Sequence, residues 1–109
     1  MQLTSQDEFA DMEIVRTLGF AKGNVVRARF FVRDIFAGFR MIVGGEIPEY
    51  TKLLAESREQ AIDRMIAKAE AMGADGIVAI RFTTSQVMAG AAEVLVTGTA
   101  VTLRPKAGD

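Results

Sequence analysis

The first clear pattern along the chain is an alternation from Met12 to Phe20, with Ile14, Arg16, Leu18 and Phe20 on one side and Val15, Thr17 and Gly19 on the other. Period two is the signature of a strand. Gly19, Gly23 and Asn24 supply turn chemistry, and Val25-Val26-Arg27-Ala28 then predicts a short second strand. From Phe31 to Val43 the period changes: Phe31, Ile35, Phe36, Phe39, Ile42 and Val43 recur at three- and four-residue steps, which predicts a helix stopped by Gly44-Gly45. A second, longer helix is expected from about Glu49 to Met72, with Pro48 in its first turn and Gly73 as a left-handed C-terminal cap. Its stripe is Tyr50, Leu53, Leu54, Ser57, Ala61, Met65, Ala69 and Met72, widened by Ile62 and Ile66. Ile77 to Thr84 alternates again, with Val78, Ile80 and Phe82 together, and Val94 to Leu103 is the last strand. Ser85 to Ala92 reads as the hairpin loop between them.

These elements predict an α+β fold, a small antiparallel sheet with two helices on one face. Residues 1–11, polar and acidic apart from Phe9, read as a flexible N-terminal arm, residues 12–104 as a single domain, and residues 105–109 as a flexible tail. A helix apolar over more than half its girth needs a sheet plus another helix, or a sheet plus a neighbouring subunit, to cover it. Half the residues are hydrophobic, which also argues that some apolar surface is buried between subunits.

Composition then narrows the chemistry. The chain has 109 residues and no Cys, His or Trp. That removes disulfides, thiolate nucleophiles, zinc ribbons and the imidazole base. Ser57 and Ser85 have no histidine to activate them, so no catalytic residue is assigned and a non-enzymatic role is expected. No apolar run approaches the ~20 residues of a membrane helix, and the acidic start Asp7-Glu8 is unlike a signal peptide. A cytoplasmic protein without a membrane partner is the expectation. The net charge of −1 is unevenly spread: residues 1–15 carry −4, 16–40 carry +5, 41–75 carry −3 and 76–109 carry +1.

The block Arg33-Asp34-Ile35-Phe36-Ala37-Gly38-Phe39-Arg40, followed by Ile42-Val43-Gly44-Gly45, resembles the signature of the YbjQ-like family. Leu18-Gly19-Phe20, Tyr50, Met72-Gly73-Ala74-Asp75 and Thr97-Gly98-Thr99-Ala100-Val101 agree in order and spacing, so the resemblance spans about residues 12 to 103. It implies a dodecin-like β-α-β-β subunit that forms a ring-shaped homopentamer, in a bacterial family labelled heavy-metal-binding whose biochemical role is not established. Met41 departs from the acidic or amide residue common in the family at that place, and Glu46-Ile47-Pro48 replaces a more flexible junction. Soft metals prefer thiolate or imidazole, and this chain has neither, so heavy-metal binding is disfavoured and no cofactor is expected.

Among the basic residues, Arg27, Arg29, Arg33 and Arg40 are dense enough to form an anion-binding rim, since guanidinium pairs well with carboxylate or phosphate. The same arginines could instead pair with Asp34 or with acids of an adjacent subunit. Asp34 is a candidate carboxylate metal ligand, or else a helix cap or arginine partner. Glu49, Glu56, Glu59, Asp63 and Glu70 read as a solvated helix face, and Gly38, Gly44, Gly45 and Gly73 as structural. The phenylalanines between the arginines fall at helical spacing and read as core rather than a stacking platform, so nucleic acid is not an expected partner. The partners expected are further copies of the chain and a small anionic ligand or a protein.

Overall fold

The structure is a computed structural model that describes residues 1–27, 48–88 and 91–107. Its elements are β1 (Gln2–Leu3), β2 (Met12–Arg27), α1 (Pro48–Ala71), β3 (Gly76–Met88) and β4 (Ala91–Pro105). The sheet has four strands in the order β1-β3-β4-β2. β3 and β2 both run antiparallel to β4, whereas β1 is parallel to β3, so the sheet is mixed rather than purely antiparallel. Among the described residues one helix covers it. The expected helix from Phe31 to Val43 lies outside them.

The turn expected between Gly19 and Gly23 is absent, and β2 is one continuous strand of 16 residues. Both glycines serve the third dimension instead. Gly19 has φ +136° and sits where the register with β4 shifts, a bulge that bends the strand. Gly23 lies directly beneath α1: a β-carbon there would stand 2.0 Å from the Ala61 carbonyl oxygen and 2.6 Å from the Met65 nitrogen. Past the bulge the alternation is strict, with Ala21, Gly23 and Val25 buried and Phe20, Lys22, Asn24 and Val26 exposed.

The helix follows its sequence signals closely. Pro48 is its first residue, where the missing N–H costs no hydrogen bond. At the other end Gly73 has φ +83°, the Ala74 N–H donates to the Ala69 carbonyl (3.0 Å) and the Gly73 N–H to the Glu70 carbonyl (3.0 Å). That pair of bonds is a Schellman cap, and it satisfies carbonyls the helix would otherwise leave open. Ser57, Ala61, Met65 and Ala69 are buried, and the last three pack in a core with Ala21, Val25, Ile77, Ile80, Val94, Val96 and Ala100. Ile62 and Ile66 are half-buried at its margin, whereas Met72 is exposed.

β3 breaks the expected alternation at Ala79, whose φ is +55°. The register with β4 shifts between Val78 and Arg81, and Ile77 joins Ile80 in the core beneath α1 while Val78 does not. An inserted residue moves all later side chains to the opposite face. The strand pair also runs further than expected: Ser85 pairs with Glu93 and Gln86 with Ala92, so most of the supposed hairpin loop is ladder.

Residues 2–6 are hydrogen-bonded along β3 where the sequence reading expects a loose arm. Gln2 and Thr4 donate to the carbonyls of Asp75 and Ile77, and the N–H groups of Ile80 and Ala79 donate to Thr4 and Gln6. Phe9 then packs near Gly76 and Leu103, and Lys106 donates to the Asp11 carbonyl at 3.2 Å. Where β2 begins, Arg104 makes two hydrogen bonds to Glu13, Nε to Oε2 at 2.9 Å and Nη2 to Oε1 at 3.1 Å.

Two predictions follow from this packing. Gly23→Ala should destabilise the protein by about 1–3 kcal/mol or more, because backbone rather than a flexible side chain must move. Gly73→Ala, which meets no atom but must keep a positive φ, should cost about 1–2 kcal/mol. Urea unfolding of both variants checks the order. For the exposed ion pair, Arg104 holds the Glu13 carboxyl below its ordinary value of 4.5 by hydrogen bonding and then by charge. A depressed folded-state pKa stabilises above the unfolded-state value and loses that contribution as pH falls through the folded one. Carboxyl NMR should therefore show Glu13 titrating below 4.5, and Arg104→Gln should move it upward.

Candidate functional site

The arginine-rich stretch begins where β2 ends, under α1. Arg27 Nε donates to the Ser57 hydroxyl at 2.9 Å, and its Nη2 donates to the Gln60 side-chain oxygen at 2.9 Å. Ser57, fully buried, donates in turn to the Leu53 carbonyl at 2.8 Å. Ser57 and Gln60 are three residues apart and so lie on adjacent parts of one helix face. Just below them Arg64 Nη1 donates to the Asn24 carbonyl at 2.6 Å, and Asn24 Nδ2 donates to Glu93 Oε2 at 3.1 Å. The middle of α1 is thus tied to the end of β2 by two arginines, one from each element.

Arg27 is therefore a fold-holding residue as well as the first member of the proposed rim. Two of its donors are used within the chain, one by a hydroxyl and one by an amide oxygen. Arg29, Arg33, Arg40 and Asp34, together with Gly38, Gly44 and Gly45, lie outside the described residues. Gly73 holds the helix cap, as its position after the apolar stripe implies. Glu56, Glu59, Asp63 and Glu70 are all exposed, as a solvated face requires. Among the described residues no three of the acids converge as metal ligands.

A second feature lies on the helix side of the sheet, where α1 rides over β2 and β4 and leaves β3 less covered. Between α1, β3 and the N-terminal segment is an open groove of about 280 Å³, lined by Leu3, Thr4, Ser5, Ile62, Met65, Ile80 and Phe82. Its lining is apolar apart from two hydroxyls and the adjoining backbone. Phe82, the aromatic of the set, remains 49% exposed. Arg81 donates to the Ser5 carbonyl at 2.6 Å and fixes the N-terminal wall. Sequence reasoning did not find this groove, because its outline depends on the Ala79 bulge and on main-chain bonds of residues 2–6, neither of which leaves a side-chain signature. The signal that was present is Ile62, outside the central stripe of α1.

No helix among the described residues is long and apolar enough to cross a membrane. A solved structure from Pediococcus pentosaceus, titled a protein with unknown function of the DUF74 family, shares the fold at a TM-score of 0.57 and 17% identity, over 95% of this chain and 98% of that one. A UPF0145 protein of Methanococcus vannielii is 53% identical over 104 residues, covering 95% of this chain and 99% of the relative. One from Archaeoglobus fulgidus is 51% identical over 102 residues, covering 94% of each chain. One from Photobacterium profundum is 50% identical over 103 residues, covering 94% of this chain and 100% of the relative. Archaea and bacteria both hold such proteins, so the bacterial distribution implied by the resemblance is too narrow. The family pattern described as "putative heavy-metal-binding" matches residues 1–104, and the chain belongs to that family, YbjQ, whose relatives here carry the name UPF0145.

Proposed function

We propose that this protein acts as a ring-forming homo-oligomer of dodecin-like subunits, without catalytic machinery of its own. In this reading the ring is a pentamer in the cytoplasm that offers the Arg27 to Arg40 region to a small anionic ligand or a protein partner. The observation that carries it is the poor self-coverage of one copy. The chain extends over 61 × 26 × 15 Å with a radius of gyration of 17.8 Å, where a compact domain of about 100 residues has about 13 Å. Phe20 is 86% exposed, and Val15, Val26 and Phe82 are also open to solvent. A two-layer sheet and helix this thin, with half its residues hydrophobic, is supported best when copies cover one another.

The anion reading rests on the concentration of positive charge in residues 16–40. A second reading is favoured by the description of the family: a cation held by carboxylates, with Asp34 as the ligand each copy would give. Absence of Cys and His makes a hard cation a better match than a heavy, soft one.

Native mass spectrometry of gently purified protein should give a five-subunit mass, and a monomer at micromolar concentration would refute the assembly. A small molecule retained on the ring and lost in Arg33→Ala or Arg40→Ala supports the anion reading. Metal retained in stoichiometric amount, measured by elemental analysis and lost in Asp34→Asn, replaces it with the second. Arg27→Ala is expected to act on the fold, costing about 1–3 kcal/mol in urea unfolding through its bonds to Ser57 and Gln60.

A further inference from the structure

Among the described residues Ala79 alone has a positive φ, +55°, without being glycine. Left-handed backbone is disfavoured for any residue with a β-carbon, so its surroundings must hold it there. Two features do. The Ala79 N–H donates to the Gln6 carbonyl at 2.8 Å, the Ile80 N–H donates to the Thr4 carbonyl at 3.2 Å, and Arg81 Nη1 donates to the carbonyls of Ser5 (2.6 Å) and Ile80 (2.9 Å). On the other side Gly98 stands in the register gap of β4, where a β-carbon would collide with Ile77 and come within 3.2 Å of Ile80. The bulge thus seats both isoleucines in the core beneath α1, with residues 2–6 accepting the N–H groups that it turns aside.

The same sequence also fits a register without the bulge. Val78 pairs with Thr99 and Arg81 with Thr97, so three steps along β3 span two along β4. With Arg81 in place and residues 76–80 moved by one, Ala79 comes opposite Thr99, and Val78 comes opposite Ala100, where Ile77 now lies. Val78, Ile80 and Phe82 then share the face toward α1, the plain alternation of the sequence, and Ala79 leaves positive φ. Valine in place of isoleucine is a small change of core volume. What the slide breaks is the set of bonds to residues 2–6, together with those of Asp75, whose N–H donates to the Val101 carbonyl and whose carboxylate accepts the Leu103 N–H, 2.9 Å each. We propose that β3 is a two-register switch and that residues 2–6 are the latch that selects the bulged register. Each bond the segment makes with Ala79, Ile80 or Arg81 favours one register over the other, which is what any element needs in order to shift an equilibrium. Release of the latch also moves Asp75 off Val101 and Leu103, so it reaches the turn that follows the C-terminal cap of α1.

The first test is Ala79→Gly in the full chain, followed by amide hydrogen exchange. Glycine accepts positive φ freely and is a poor strand residue, so it favours the bulged register. The amides of Thr4 and Ile80, which bond between the latch and β3, should then exchange about 5–30 times more slowly. Simple fraying gives no such slowing, because glycine loosens a frayed chain, and unchanged or faster exchange at these two amides overturns the proposal. The chain has no cysteine, so a disulfide trap reads the register directly. Val78→Cys with Thr99→Cys joins residues that face each other in the bulged register, and Ala79→Cys with Thr99→Cys joins residues that meet only after the slide. When Arg81→Ala weakens the latch, the second pair should close within one chain about tenfold faster than with Arg81 present, and the first pair more slowly. Urea unfolding checks that each variant is folded. Closure of the first pair alone in both backgrounds means a single register and overturns the switch; closure of the second pair at a rate that ignores Arg81→Ala overturns the latch.

Discussion

The fold depends on one close approach, that of α1 to β2 at Gly23. A helix normally rests on a sheet through side chains, but here the space above residue 23 is filled by the backbone of Ala61 and Met65. Small residues make this possible: Ala61 and Ser57 on the helix, Gly23 and Ala21 on the strand. Once the two backbones meet there, contacts on either side of the crossing fix the direction of α1. Met72 reaches Gly19, with its Cε 3.4 Å from where a β-carbon on that glycine would lie, and Ser57 receives Arg27. The helix therefore runs opposite to β2.

The same placement explains why β3 is left partly open. A helix is about 10 Å wide with its side chains and covers roughly two strands spaced about 4.8 Å apart. Centred over β2 and β4, α1 extends Ile62 and Met65 toward β3, where they line the groove with Ile80 and Phe82. The Ala79 bulge adjusts to this by turning Ile80 into the core next to Ile77. It also turns the N–H groups of both Ala79 and Ile80 toward the N-terminal segment, which accepts them at Gln6 and Thr4. A local irregularity thus anchors the segment that forms the far wall of the groove.

What the sequence made legible was whatever a single element decides for itself. α1 was readable to within one residue at each end because Pro48, the three- and four-residue spacing and Gly73 all express local rules. β2 and β4 were readable as strands through alternation. The turn assigned to Gly19 and Gly23 was not, since a glycine required for a close approach looks in sequence like one required for a turn, and only the position of Ala61 tells them apart. Ala79 gave no warning, because nothing about alanine marks a positive φ. The parallel pairing of Gln2–Leu3 was invisible for a similar reason, being made entirely by main-chain bonds. Of the candidate rim, the structure places Arg27, and it shows that residue bound to α1, through partners that charge counting alone could not find.

Charge and assembly are coupled in any ligand reading of this chain. Within one copy no three described acids stand close enough to share a cation, and the exposed acids of α1 are spread along a solvated face. A site built from a single carboxylate or a single guanidinium per copy gains strength only when symmetry repeats it around an axis. Like charges brought together in that way repel one another unless a counter-ion lies between them, which is the physical condition for binding an oppositely charged ligand. The affinity of such a site then depends on the subunit contact that sets its radius. If copies assemble as proposed, a substitution at the contact between them, far from any ligand, would weaken binding through the geometry of the assembly, whereas one at Arg33 or Asp34 would remove the charge and leave the assembly in place.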